Sequence, residues 1–251
     1  MARQLQEQLA ERFPAGKRLR VLDVGLGQGA RALRLARAGH RVTVLERDRT
    51  AVLRARRALA AEPEEVRARL RIVEGDGRDT GVHFPPGAFD VVLCHGVLMH
   101  VEEPEPLLAA LARMLAPGGL LSLLVCNGDA LALRPGLRGD WAAALSALGA
   151  TARLPRPRTA PGRTAPARPE ADALPETDAR ADRLADLRAT LAGIGAPLRA
   201  WYGVRVFTDT AAHDAGPPED LEVLLAAEEL AGRTDPYRAV AALLHLCGVR
   251  G

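Results

Sequence analysis

The sequence predicts an α/β fold: a mostly parallel, seven-stranded sheet with helices on both faces and a basic insertion after the fifth strand. Two observations carry this reading. Short apolar runs alternate with segments of helical spacing through the first half of the chain. A turn rich in glycine follows the first of those runs directly. Strands separated by single helices form right-handed crossover units and pair in parallel.

The elements run in order as follows. Residues 19–24 read as a first strand ending at Asp23-Val24-Gly25-Leu26-Gly27-Gln28-Gly29, and 28–38 as a helix stopped by Gly39. A second strand is expected at 41–46, a helix at 49–61 ended by Pro63, and a third strand at 69–74. Residues 89–94 are almost wholly apolar, as a strand buried on both faces should be. A helix at 106–115 stops at Pro117-Gly118-Gly119, and 120–126 is the fifth strand. Residues 130–148 read as a helix broken near Pro135-Gly136. After it, 151–169 is rich in Pro and Ala and carries Arg153, Arg156, Arg158, Arg163 and Arg168 with no acid before Glu170. Such a stretch buries too little apolar surface to offset its ordering entropy and is expected to be mobile. Helical spacing returns at 178–192, a sixth strand at 198–208, an acidic amphipathic helix at 218–231, and a closing strand at 243–249.

The totals bound the function. A chain of 251 residues suffices for one large α/β domain with an insertion, or for a domain plus a small appendage. Aromatic residues are only 3% of it, so Leu, Val and Ala must fill the core. The net charge of +3 is mild, and Lys17 is the only lysine, so the placement of Arg matters more than the total. Cys94, Cys126 and Cys247 sit in apolar runs without metal-ligand spacing, which suits reduced, buried thiols in a cytoplasmic protein and gives no metal site. No segment approaches the ~18 apolar residues of a membrane span, and the first residues lack the apolar stretch of a signal peptide, so no membrane partner is expected.

The chemistry points to the glycine turn. Gly25, Gly27 and Gly29 lie between a strand and a helix, where the absence of Cβ allows a tight turn and close approach of a ligand to unpaired backbone N–H groups. The dinucleotide fingerprint would place its third glycine one residue later. The spacing here, with Asp23 before the first glycine, resembles motif I of class I S-adenosylmethionine-dependent methyltransferases. That resemblance covers roughly residues 19–126 and implies a Rossmann-like class I methyltransferase fold with S-adenosyl-L-methionine as cofactor.

Glu46, closing the second strand, offers a carboxylate to two ribose hydroxyls. An NAD-dependent dehydrogenase would use such an acid equally well, and the short glycine spacing argues against it. Asp76, in Glu74-Gly75-Asp76-Gly77, stands where the family uses an acid to take the adenine amino group, with Gly77 beside it; the alternative is a turn residue. His95 with Leu98-Met99 would line the other flank of the cofactor, unless His95 is a satisfied core histidine. Residues 1–150 are thus expected to be the cofactor-binding core, 151–177 a basic insertion, and 178–251 the rest of the same fold with a substrate-facing strand.

Longer stretches are similar to the bacterial tRNA 5-carboxymethoxyuridine methyltransferases. They are the run from Val91 to Pro104, the run Leu121-Ser122-Leu123-Leu124-Val125-Cys126-Asn127, the late Gly203-Val204-Arg205-Val206-Phe207-Thr208-Asp209, and Asp235-Pro236-Tyr237. The resemblance implies methylation of a wobble-uridine carboxylate in the tRNA anticodon loop. A carboxylate is ionised at pH 7, so catalysis is mainly positioning. Arg205 is the first choice for substrate binding because its fork grips a carboxylate or phosphate; pairing with Asp209 is the structural alternative. Asn127 orients nucleophile or cofactor, or caps a loop. Trp141 stacks on a base, or plugs the core. Cys126 stands where the family usually has an aromatic and Thr208 where it has a His, which bears on the acceptor. A small-molecule O- or N-methyltransferase, or a non-catalytic binder of the cofactor, are the other readings, and a monomer or weak dimer is expected.

Overall fold

The computed structural model describes residues 1–27, 29–149, 180–210 and 218–251. The basic insertion expected at 151–177 lies outside the described residues, as does Gln28 of the glycine turn.

In chain order the elements are α1 (Ala2–Arg12), β1 (Arg20–Val24), α2 (Ala30–Arg37), β2 (Arg41–Glu46), α3 (Arg49–Ala60), α4 (Glu64–Arg67) and β3 (Leu70–Glu74). Then come α5 (Thr80–His83), β4 (Phe89–His95), α6 (Pro104–Met114), β5 (Leu115–Cys126), α7 (Leu133–Leu137) and α8 (Trp141–Gly149). The last are α9 (Leu184–Gly193), β6 (Leu198–Val204), α10 (Leu221–Ala231) and β7 (Leu243–Val249). The strands form one seven-stranded sheet in the order β3-β2-β1-β4-β5-β7-β6. β3, β2, β1, β4 and β5 are parallel. The backbone bonds Gly118 N to Arg250 O and Arg250 N to Gly119 O, then Asn127 N to Ala242 O, run β7 opposite to β5. The mostly parallel α/β expectation is the fold observed.

The core follows the sequence logic. Every residue of β4 and of β7 is buried, as strands covered on both faces require. α6 buries Leu107, Leu108, Leu111 and Met114, apolar residues at helical spacing. Asp48 caps α3 by accepting from Thr50 N at 2.8 Å. Several boundaries differ from expectation. β6 ends at Val204, because Arg205 leaves the extended region with φ 60. β5 starts at Leu115, paired with Phe89 across an irregular register before Val91 meets Leu120. The break expected near Pro135-Gly136 in the helix over 130–148 falls instead at 138–140, between α7 and α8. α1, not expected from the sequence pattern, buries Gln4, Leu5 and Gln8.

Packing divides the chain into two compact units, one of Met1–Leu124, Leu187–Trp201 and His245–Gly251, the other of Val125–Asp186 and Tyr202–Leu244. Among the described residues no helix is long and apolar enough to cross a membrane, and no group of three His, Cys, Asp or Glu side chains is placed to hold a metal.

Candidate active site

In the first unit the parallel registers align the carboxyl ends of three strands. Val24 lies beside Leu45 and Cys94, which brings Gly25, Glu46 and His95 to one edge of the sheet. Crevices at this edge are where open α/β sheets bind ligands. Gly25 (φ 81) donates to Leu45 O at 3.0 Å, and a Cβ there would collide with Val97. Gly27 (φ 52) is different: a Cβ would meet no described atom within 4 Å, so the turn faces open space at this point. The left-handed backbone at both excludes larger side chains without strain. The space over Gly27 fits a ligand approaching the backbone.

Glu46 fixes the turn from the neighbouring strand. Its Oε2 accepts from Leu26 N at 2.7 Å and its Oε1 from Asp48 N at 2.8 Å. A carboxylate oxygen carries two lone pairs, so each keeps one for a ligand hydroxyl. Its half-buried side chain is therefore held in place before any ligand arrives.

Asp23 lies beneath the turn, fully buried. Arg31, in the first turn of α2, binds it twice, Nη2 to Oδ1 at 2.5 Å and Nε to Oδ2 at 3.1 Å. Burial raises the Asp23 carboxyl above its ordinary value, opposed by the charge and hydrogen bonds of Arg31. Arg31 Nη2 also reaches Gly25 O at 3.4 Å, and Nη1 meets His95 Nδ1 at 3.0 Å. His95 Nε2 lies 2.8 Å from Ser122 Oγ, which lies 2.8 Å from His245 Nε2. His245 Nδ1 is 3.1 Å from Gln4 Oε1. Burial depresses both imidazoles, His95 well below its ordinary value and His245 to about 3, so both are neutral.

Asp76 is half-buried, caps the turn after β3 by accepting from Arg78 N at 2.9 Å, and pairs with Arg78 Nη2 at 2.8 Å. The Arg78 hydrogen bond holds its carboxyl below the usual range, and it is an acceptor at neutral pH. A Cβ on Gly77 would meet Val24 Cγ1 at 2.8 Å and Leu107 Cδ1 at 3.0 Å, so this glycine lets β1 and α6 close together.

The second unit contains the other candidates. Asn127 is buried and its Nδ2 donates to Ala239 O at 2.9 Å and Ala241 O at 2.8 Å, while Oδ1 accepts from Asp129 N at 3.1 Å. Both amide hydrogens are engaged with backbone, which makes Asn127 a clamp on the 239–241 turn. Arg205 (φ 60) is the one non-glycine residue with positive φ among those described. Three consecutive N–H groups after it, Val206, Phe207 and Thr208, donate to the Glu228 carboxylate at 2.9, 2.9 and 2.8 Å. Arg205 therefore stands in a turn and not in the strand expected over 198–208. Asp209 pairs with Arg134 at 3.9 Å. Trp141 is 73% exposed and plugs no core. The three cysteines are free and buried, and burial pushes each thiol up to about 12, which removes them as nucleophiles.

Sequence reasoning missed Arg31, Ser122, His245 and Gln4. A signal existed for two of them: Ser122 and His245 are single polar residues inside apolar strands. Nothing local marked Arg31 or Gln4.

Residues 22–123 match the model of a family described as a methyltransferase domain. The tRNA 5-carboxymethoxyuridine methyltransferase of Escherichia coli strain K12 is 33% identical over 133 residues, 53% of this chain and 49% of that protein. A ubiquinone biosynthesis O-methyltransferase of Xanthomonas campestris pathovar campestris strain B100 is 36% identical over 108 residues, 43% of each. The chain thus spans about half the length, or less, of these curated relatives. In fold it is similar to an S-adenosylmethionine-dependent methyltransferase of Methanosarcina mazei, with a TM-score of 0.63 and 15% identity over 97% of this chain and 96% of that one. It is also similar to the glycopeptide N-methyltransferase MtfA in complex with S-adenosylhomocysteine, with a TM-score of 0.58 and 18% identity over 99% and 89% of the two chains.

Proposed function

We propose that this chain, with its class I methyltransferase fold and a methyltransferase domain over residues 22–123, transfers the methyl group of S-adenosylmethionine to a carboxylate on a modified wobble uridine of tRNA. The observation that carries the cofactor assignment is the glycine turn, open over Gly27 and held from the neighbouring strand by Glu46. Glu46 keeps lone pairs for the ribose hydroxyls, Asp76 is an ionised acceptor for the adenine amino group, and the backbone at Gly25, Leu26 and Gly27 receives the rest. When bound, the cofactor supplies a methyl group on a sulfonium, already activated toward displacement.

The chain's own residues have little proton transfer to perform. A carboxylate acceptor is ionised at neutral pH, so the protein must bind it, align it and exclude water. Arg205 is the residue for that binding, since a guanidinium matches a carboxylate or phosphate in two places. Its left-handed backbone, braced by Glu228, supports the role: strain of this kind is retained where a side chain must be aimed. Exposed Trp141 offers a stacking face to an unstacked loop base, and the arginines of 151–168 offer phosphate contacts. The likeness to the Escherichia coli tRNA enzyme supports this acceptor. The likeness to a ubiquinone O-methyltransferase supports a second reading, a small-molecule oxygen acceptor.

Incubation with methyl-labelled cofactor and tRNA from cells lacking the gene separates the two. Label in a methyl ester of the wobble nucleoside, identified by mass spectrometry, is the expected result. Absence of label from tRNA that carries the precursor carboxylate overturns the tRNA reading.

A further inference from the structure

The chain Arg31, His95, Ser122, His245, Gln4 has a polarity forced from both ends. A guanidinium has only donors, so His95 Nδ1 must accept from Arg31 and the ring proton must sit on Nε2. That proton is donated to Ser122 Oγ, and the serine hydroxyl donates onward to His245 Nε2. The far end agrees: the Gln4 carbonyl only accepts, so His245 carries its proton on Nδ1. Cys247 Sγ lies 3.6 Å from the same His245 Nε2 and adds only a weak donor. Ser122 and His245 are wholly buried, and Gln4 nearly so. A buried series of this kind must be satisfied throughout, because one reversed ring would set two donors face to face.

We propose that Ser122, His245 and Gln4 are positioning residues for the cofactor turn, holding His95 in the Nε2–H tautomer so that its Nδ1 lone pair keeps Arg31 on Asp23 and Gly25 O. The arrangement explains why two polar residues stand inside apolar strands far from the turn in sequence. Arg31 spans the turn from α2 to the end of β1, so its orientation sets how rigidly Gly25, Gly27 and Gly29 are presented. The role rests on the cofactor reading above.

The test labels the histidine rings with 15N and records their tautomers in the protein without cofactor, assigning signals by single substitution. His95 is expected as Nε2–H and His245 as Nδ1–H. In Ser122→Ala the single-tautomer signature of His95 is lost, and S-adenosylhomocysteine binds about tenfold more weakly. Ser122→Thr, which keeps the hydroxyl, restores both. Once Arg31→Met is present, Ser122→Ala has no further effect on binding, since the two act along one path. Should Ser122→Ala fail to fold, His245→Leu, which removes the acceptor for the serine hydroxyl, takes its place with the same expectations. Identical tautomers on the two rings, undiminished binding by Ser122→Ala, or additive losses with Arg31→Met would each overturn the inference. A wild-type protein with the expected tautomers that binds no S-adenosylhomocysteine overturns instead the proposed function, and the positioning role with it.

Discussion

Asp23 and Arg31 form a two-point ion pair beneath the glycine turn, with the carboxylate almost wholly removed from solvent and the guanidinium largely so. The pair converts a buried acid, which alone would be neutral, into a fixed brace between β1 and α2. Removing one partner strands the other. Arg31→Met is therefore expected to cost ~3–5 kcal/mol in urea unfolding, the range for breaking a buried pair. The double variant Asp23→Asn with Arg31→Met should recover part of that loss. A single-variant cost below ~1 kcal/mol would show that the pair braces nothing.

Arg205 separates binding from stability. Its left-handed backbone is a cost that glycine does not bear, ~1–2 kcal/mol for a residue with a Cβ. Arg205→Gly is expected to leave the unfolding midpoint unchanged or raised and to abolish methyl transfer. A loss of stability with turnover intact would assign Arg205 to structure alone.

Glu228 organises the backbone that follows. Val206, Phe207 and Thr208 N–H all end on its carboxylate. Glu228→Ala should accelerate amide exchange at these three positions selectively, while β7 amides keep their protection. Uniform acceleration across the second unit would mean general destabilisation.

The buried histidines make stability depend on pH in a defined direction. His245 titrates near 3 in the folded chain because burial disfavours its cation, against an ordinary value of 6.5. Below pH 6.5 the unfolded chain takes up a proton that the folded chain refuses, so stability falls as pH falls toward 3. This ring contributes about 1.4 kcal/mol per pH unit across that window. Its contribution is constant above 6.5. His245→Gln, followed by urea unfolding at pH 5 and 6, should show a slope shallower by about that amount. An unchanged slope would mean that His245 is protonated in the folded state.

The fold was legible where periodicity and punctuation agreed. β2 and β7 occupy the residues expected of them, and the turn between β1 and α2 lies at the glycines. Legibility failed where tertiary pairing decides. β5 gains its first residues from the pairing of Leu115 with Phe89, and β6 stops where Arg205 is turned by a carboxylate 23 positions away on α10, at Glu228. The site was half-legible for the same reason. Gly25, Gly27 and Glu46 belong to local patterns on adjoining strands. The series from Gln4 to Arg31 exists only because the sheet order sets β4, β5 and β7 side by side. Asn127 was singled out by its place at the end of β5, yet its partners at 239 and 241 are visible only in the fold.

The central claim is that the turn over Gly27 receives S-adenosylmethionine. Calorimetric titration of the wild-type chain and of Gly27→Val with S-adenosylhomocysteine, and separately with NADH, tests it most directly. The expected result is single-site binding of S-adenosylhomocysteine to the wild type, none to Gly27→Val, and no binding of NADH to either. Binding of NADH in place of S-adenosylhomocysteine, or undiminished binding by a folded Gly27→Val, would contradict it.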